Sequence, residues 1–227
     1  MKMSSKFKKA WDLIKRGQIK TLCKKVYIFF RSRLYHLRAW FEDCRYGGRS
    51  INKLIPSRYK ELGAHASQST DYRCLDKIFK SCPLAKGEIL ADIGCGEGRV
   101  LTYLYSRGHR GKLIGIELDE DVATTAKKRT KKCKNVEVHC INVLEASEIL
   151  REVGAVYLFN PFNRAVMEEF VSVIEKSCGS RVDLYYCNDV YRDVIDGRDN
   201  WSVLCRDVIR RPGVRPATFT VYRYLPQ

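Results

Sequence analysis

From about residue 69 onward, short apolar runs alternate with stretches in which apolar residues recur every three or four positions. That alternation predicts strands of a parallel sheet joined by crossover helices. The expected elements are a lead-in helix over Ser69 to Ser81, with Tyr72, Leu75, Ile78 and Phe79 inward, and a first strand over Ile89 to Ile93. A glycine-rich turn then leads into a helix from Glu97 through Leu104, a strand over Lys112 to Glu117 and a helix holding Val122, Ala123 and Ala126. Strands over Val136 to Ile141 and Ala155 to Phe159, a helix holding Val166, Phe170 and Ile174, and a strand over Val182 to Cys187 follow. Two further runs, Trp201 to Cys205 and Thr218 to Tyr224, are joined by a turn at Pro212-Gly213 and read as a closing antiparallel pair. The fold class is α/β, with seven strands.

The first 50 residues have a different pattern. Gly17 divides them into two amphipathic helices: Phe7, Trp11 and Ile14 share one face of the first, which Ser4 or Ser5 can cap. Ile19, Leu22, Val26, Phe30, Leu34, Leu37 and Phe41 form the stripe of the second, which ends before Gly47-Gly48. Residues 1–50 are therefore read as a basic helical extension and 51–227 as the main domain.

Charge sharpens this division. Fourteen Lys/Arg against three acids give residues 1–50 a net +11 of the chain's formal +16. Lys20, Lys24, Lys25, Arg31 and Arg38 lie largely off the apolar stripe. Three readings fit: a helix packed on the main domain with a solvated basic back, an interfacial helix on anionic lipid, and, with least support, a binder of nucleic-acid backbone. No run approaches the roughly 18 uncharged apolar residues of a spanning helix, and no secretory pattern is present. Ten scattered cysteines without C-x-x-C spacing predict free thiols in a reducing cytoplasm and no zinc site.

The strongest local signal is Leu90-Ala-Asp92-Ile-Gly94-Cys-Gly96-Glu-Gly98-Arg. An apolar strand ends in an acid, and glycines at alternate positions let the backbone turn sharply and approach a ligand closely. Dinucleotide sites use G-x-G-x-x-G, whereas here the spacing is G-x-G-x-G. Asp92 opposes a diphosphate but suits a ligand carrying an ammonium group, so an amino-acid end is expected. Glu117, nineteen residues beyond Gly98 at the end of the second strand, can accept hydrogen bonds from both hydroxyls of a ribose.

With these motifs the chain resembles the class I S-adenosylmethionine-dependent methyltransferases over residues 69–227. The resemblance implies a Rossmann-like seven-stranded sheet with an antiparallel last strand and S-adenosyl-L-methionine as cofactor. Gly94, Gly96 and Gly98 would line it, Asp92 would assist its amino group and Glu117 its ribose; Asn142, where the family usually has an acid, would accept from the adenine amine. Val156 to Phe162, with Phe159-Asn160-Pro161-Phe162, and Tyr185 to Asn188 are similar to a group of small bacterial methyltransferases of mostly unassigned substrate. Asn160-Pro161-Phe162 also resembles the Asn-Pro-Pro-aromatic motif of amino-group methyltransferases, lacking its second proline. That likeness implies that the Asn oxygen and the Pro carbonyl accept from a target nitrogen while the aromatic ring packs against it.

Asn188 and Asp189 are expected at the active edge of the sheet, touching substrate or capping a helix that reaches Val194. His65 and Tyr72 are candidates to cover the cofactor, and Cys95 reads as a small buried filler. The expected activity is methyl transfer to an unidentified acceptor: a small molecule, glycan or lipid-linked intermediate, or else a protein or nucleic acid; a non-catalytic cofactor-binding regulator is the third class. The expected location is the cytoplasm, with residues 1–50 contacting the inner face of a membrane.

Overall fold

The computed structural model describes residues 14–15, 17–47, 54–211 and 214–226. The expected first helix of the extension, apart from helical Ile14 and Lys15, and the Pro212-Gly213 turn lie outside them. The chain divides into two compact units, residues 1–42 and 43–227. The first holds most of a long helix, α1 (Ile19–Gly47). Its last turn, from Asp43, belongs to the second unit. Among the described residues, no helix is long and apolar enough to cross a membrane.

The second unit is a seven-stranded sheet flanked by helices. After α2 (Tyr72–Ser81) come β1 (Leu90–Ile93), α3 (Arg99–Ser106), β2 (Leu113–Glu117), α4 (Glu120–Thr130) and β3 (Val136–Cys140). A short α5 (Ser147–Arg151), β4 (Ala155–Phe159), α6 (Arg164–Ser177), β5 (Val182–Cys187), β6 (Trp201–Arg211) and β7 (Val214–Tyr224) complete it. The strand order is β3-β2-β1-β4-β5-β7-β6. β1 to β5 are parallel, while β7 runs antiparallel to both β5 and β6. The closing strands thus form an antiparallel pair as expected, with β7 alone reversed against the others, and both are longer than their apolar runs.

β1, β2, β4 and β5 are almost wholly buried, which is why they read as unbroken apolar runs rather than alternating ones. β3, at an edge, carries Glu137 and His139. Helix starts follow side-chain caps. Asp71 accepts from Arg73 N at 2.8 Å and starts α2 three residues later than the pattern suggested. Asp119 accepts from Asp121 N and Val122 N at the head of α4, and Asn163 from Val166 N at the head of α6.

Order along the sheet reverses between β1 and β4, which pair side by side while their helices return on opposite sides. The carboxyl ends of β1, β2 and β4 therefore meet around one crevice. One buried ion pair sits behind it: Asp43 accepts from Arg99 Nη2 at 2.7 Å, Arg99 Nε at 3.1 Å and the Tyr72 hydroxyl at 2.8 Å. Arg129 Nη1 donates to the Asp43 carbonyl oxygen at 2.7 Å, and Arg99 Nη1 to that of Thr70 at 3.0 Å. Arg99 immediately follows Gly98, so this network fixes the helix that leaves the glycine turn. Tyr72, only 3% exposed, belongs to the network rather than to a cover over the crevice. The expectation of a lid role for it is corrected accordingly.

Candidate active site

The turn after β1 takes three left-handed residues, Gly94 (φ 66°), Gly96 (φ 55°) and Gly98 (φ 82°). Any side chain would be strained at these angles. Two of the positions also lack room for one. A Cβ on Gly94 would stand 2.8 Å from Pro161 Cβ, and one on Gly96 would stand 2.8 Å from Ser67 Oγ. Gly98 faces elsewhere: it precedes α3, and a Cβ there would meet Ala126 and Thr130 of α4. Its role is helix entry and helix packing. Cys95 is buried beneath Gly115, with burial pushing its thiol well up, away from a reactive thiolate.

Glu117 anchors the turn from β2. Its Oε2 accepts from Gly96 N at 2.8 Å, and its Oε1 accepts from Leu118 N at 2.9 Å and Asp119 N at 3.1 Å. Burial raises its pKa, against the lowering effect of those backbone donors. Asp92, 2% exposed, has an Oδ2 buried with no hydrogen-bond partner among the described residues. Burial first, and the charge of Glu117 second, push its pKa well above the carboxylate range. An unpartnered buried carboxylate oxygen is costly to the fold. Such a site is relieved by a cationic donor.

The crevice is a cleft open to solvent at its mouth, beside the carboxyl ends of β1, β2 and β4. Gly94, Glu117, Asn142, Pro161 and Phe162 line it; Asp92, Gly96, Gly98 and Asn160 do not. Asn142 caps the turn after β3, its Oδ1 accepting from Leu144 N at 3.1 Å. An amide oxygen has a second lone pair, so this cap leaves it able to accept from a ligand as well.

Much of the opposite wall was not read from the sequence. It is a strap, residues 55–68, of which only His65 was singled out. Ile55 and Ser67 pair across its neck through two backbone hydrogen bonds of 2.9 and 2.8 Å. Gly63 (φ 81°) turns its tip, and Ala64 pairs with Phe162. His65 N donates to the Pro161 oxygen and Asn163 N to the Gly63 oxygen, each at 2.8 Å. Arg58 ties the strap to α4 through Asp119 and a short bond to Asp121.

This pairing changes the reading of Asn160-Pro161-Phe162. The Tyr186 hydroxyl donates to Asn160 Oδ1 at 3.1 Å, and His65 Nδ1 lies 3.0 Å from the Asn160 backbone oxygen. With the Pro161 carbonyl also bonded to His65 N, both acceptors expected to hold a target nitrogen already take one hydrogen bond within the chain, and of the two residues only Pro161 lines the crevice. Phe162, 7% exposed, packs on Phe170 with ring centroids 5.5 Å apart. The segment is a built corner, held at the strained φ of 44° of Asn160.

Asn188 and Asp189 do not reach the crevice. Asp189, 2% exposed, accepts from the hydroxyls of Thr218 and Thr220 on β7, and Asn188 N bonds the Thr218 oxygen at 2.8 Å. They fix the β5–β7 junction, and only a 3₁₀ turn, Arg192–Val194, follows them.

Residues 90–178 match a family model described as a methyltransferase domain. Ribosomal RNA small subunit methyltransferase A of Thermotoga maritima is 28% identical over 124 residues, covering 50% of this chain and 43% of that protein. The chain thus spans less than half the length of this curated relative. Among solved structures, an RNA methyltransferase from Salinibacter ruber in complex with S-adenosyl-L-homocysteine is 21% identical, with a TM-score of 0.53 over 70% of this chain and 94% of that one. A SAM-dependent methyltransferase from Aquifex aeolicus is 17% identical, with a TM-score of 0.54 over 76% of this chain and 100% of that one.

Proposed function

We propose that this chain, whose residues 90–178 are a methyltransferase domain on the class I S-adenosylmethionine-dependent fold, binds S-adenosyl-L-methionine in the crevice and transfers its methyl group. The observation that carries this reading is Asp92. A buried carboxylate oxygen lacking a partner, two residues before the cleft-lining Gly94, suits the ammonium of an amino-acid end and repels a diphosphate. Glu117 would hold the ribose end and Asn142 the adenine end, and the Cβ-free surface of cleft-lining Gly94 allows the ligand close approach. When bound, the cofactor supplies a methyl on a sulfonium, open to in-line displacement by a nucleophile.

The chain's own residues do the rest by positioning and by excluding water. The strap covers the crevice and the Asn160-Pro161-Phe162 corner shapes its acceptor end. His65, which lines the crevice, moves the proton. The Asn160 carbonyl oxygen can only accept, so neutral His65 carries its hydrogen on Nδ1 and leaves Nε2 as an acceptor for the proton of an incoming nucleophile.

The favoured acceptor is a small molecule, glycan or lipid-linked intermediate. A nucleic-acid acceptor is the second reading. It is supported by the two relatives named as RNA methyltransferases and by the formal charge of +16. The test is release of S-adenosylhomocysteine on incubation with candidate acceptors, preceded by mass spectrometry of co-purified ligands. Turnover with RNA and none with small acceptors selects the second reading, and failure to bind S-adenosylmethionine at all removes both.

A further inference from the structure

We infer that α1 is a docking surface for an anionic lipid bilayer, lying in the plane of the interface rather than across it. In the first unit considered by itself, Ile19, Val26, Phe30, Leu34, Leu37 and Phe41 are all exposed; Phe30 is 61% and Leu34 66% accessible. At 3.6 residues per turn these six fall within an arc of roughly 80° of helix surface, and exposed Phe29 and Trp40 extend the apolar side to roughly 140°, with Arg33 set within the added part. An exposed apolar stripe of this kind marks an interaction site.

Charge decides what covers it. Between residues 19 and 41 there are six Lys/Arg and no acid. Lys20, Lys24, Arg31 and Arg38 border one edge of the arc. Arg31 and Arg33 fold back over the rings of Tyr27 and Phe29, at 5.9 and 5.3 Å, keeping cations beside apolar surface. A nucleic-acid backbone would meet the cations but leave the arc in water. A second copy of the helix would cover the arc but oppose two sets of cations with no acid in the segment to pair them. A bilayer with anionic headgroups satisfies both, apolar residues entering the acyl boundary and cations remaining among the headgroups. The inference stands apart from the methyl-transfer reading, because it uses none of the crevice residues.

The test is sedimentation of the full chain with vesicles of phosphatidylglycerol and phosphatidylcholine, against phosphatidylcholine alone. Each Lys or Arg near an anionic surface adds roughly fivefold to partitioning, so binding to the mixed vesicles should exceed binding to the neutral ones more than tenfold and fall steeply with salt. Phe30→Ser/Leu34→Ser/Leu37→Ser should lower it at least tenfold, and Lys20→Gln/Lys24→Gln/Arg31→Gln/Arg38→Gln should remove the preference for anionic lipid. Circular dichroism and S-adenosylmethionine titration report whether each variant keeps its fold. No sedimentation of the intact chain, or sedimentation undiminished by the triple substitution, overturns the inference. So does a dimer in sedimentation velocity that the triple substitution dissolves.

Discussion

The charge of Glu117, the acid that ends β2, raises the proton affinity of Asp92 on neighbouring β1, adding to a larger push from burial. The fold therefore carries a buried carboxyl oxygen that it does not itself satisfy.

Replacing that carboxyl separates folding from binding. A carboxyl whose folded pKa is raised favours the native state below its unfolded value, near 3.8 for Asp92, and that advantage is lost as pH rises through the folded value. Asp92→Asn should thus stabilise the ligand-free protein at neutral pH, by roughly 2–4 °C in Tm if the relief is about 1 kcal/mol. The gain should shrink as pH falls toward the carboxylate range. The same variant should bind S-adenosylmethionine more weakly. Thermal melts between pH 4 and 8, alongside titrations, check both signs; a variant less stable than wild type at neutral pH contradicts the reading.

Gly94→Ala and Gly96→Ala should both destabilise, each by about 1–2 kcal/mol from the left-handed backbone alone. Their remedies differ. Ser67→Gly removes the Oγ that the Gly96→Ala methyl would meet and should recover part of that loss, with no effect on Gly94→Ala, whose methyl meets Pro161. A urea-unfolding double-mutant cycle measures the difference.

Asp43→Ala should cost about 3–5 kcal/mol, the range for removing one partner of a buried ion pair. Arg99 is 3% exposed and Asp43 fully buried, so the guanidinium left behind cannot reach water. Chemical denaturation gives the value directly.

His65→Gln should lower kcat at least tenfold once an acceptor is known, while leaving the S-adenosylmethionine Kd within about twofold. Glutamine keeps a donor for the Asn160 oxygen but cannot take up a proton.

The central strands and the glycine turn were legible because their signals are local. β4 and β5 begin and end where their apolar runs do, and Gly94, Gly96 and Glu117 occur at spacings that a close-approach turn requires. The strap was not legible, because its order comes from the backbone bonds of Gly63 and His65 to Asn163 and Pro161, distant in sequence, and leaves no periodicity in residues 55–68. The partnership of Asp43 with Arg99 spans 56 residues, and Asp43 reads in sequence as one of three acids in a basic segment. β6 and β7 outrun their apolar stretches because β6 is an edge strand, where Arg206 and Asp207 can sit on the ladder with their side chains reaching water or exposed partners.

The most direct measurement is calorimetric titration of S-adenosylmethionine into the wild-type protein and Glu117→Ala. The wild type should bind in the micromolar range. Loss of the charged anchor should weaken binding roughly tenfold or more, since hydrogen bonds to a charged group contribute about 1.5–3 kcal/mol. Superimposable isotherms for the two proteins, or a wild type that ignores S-adenosylmethionine while binding a nicotinamide dinucleotide, would contradict the assignment.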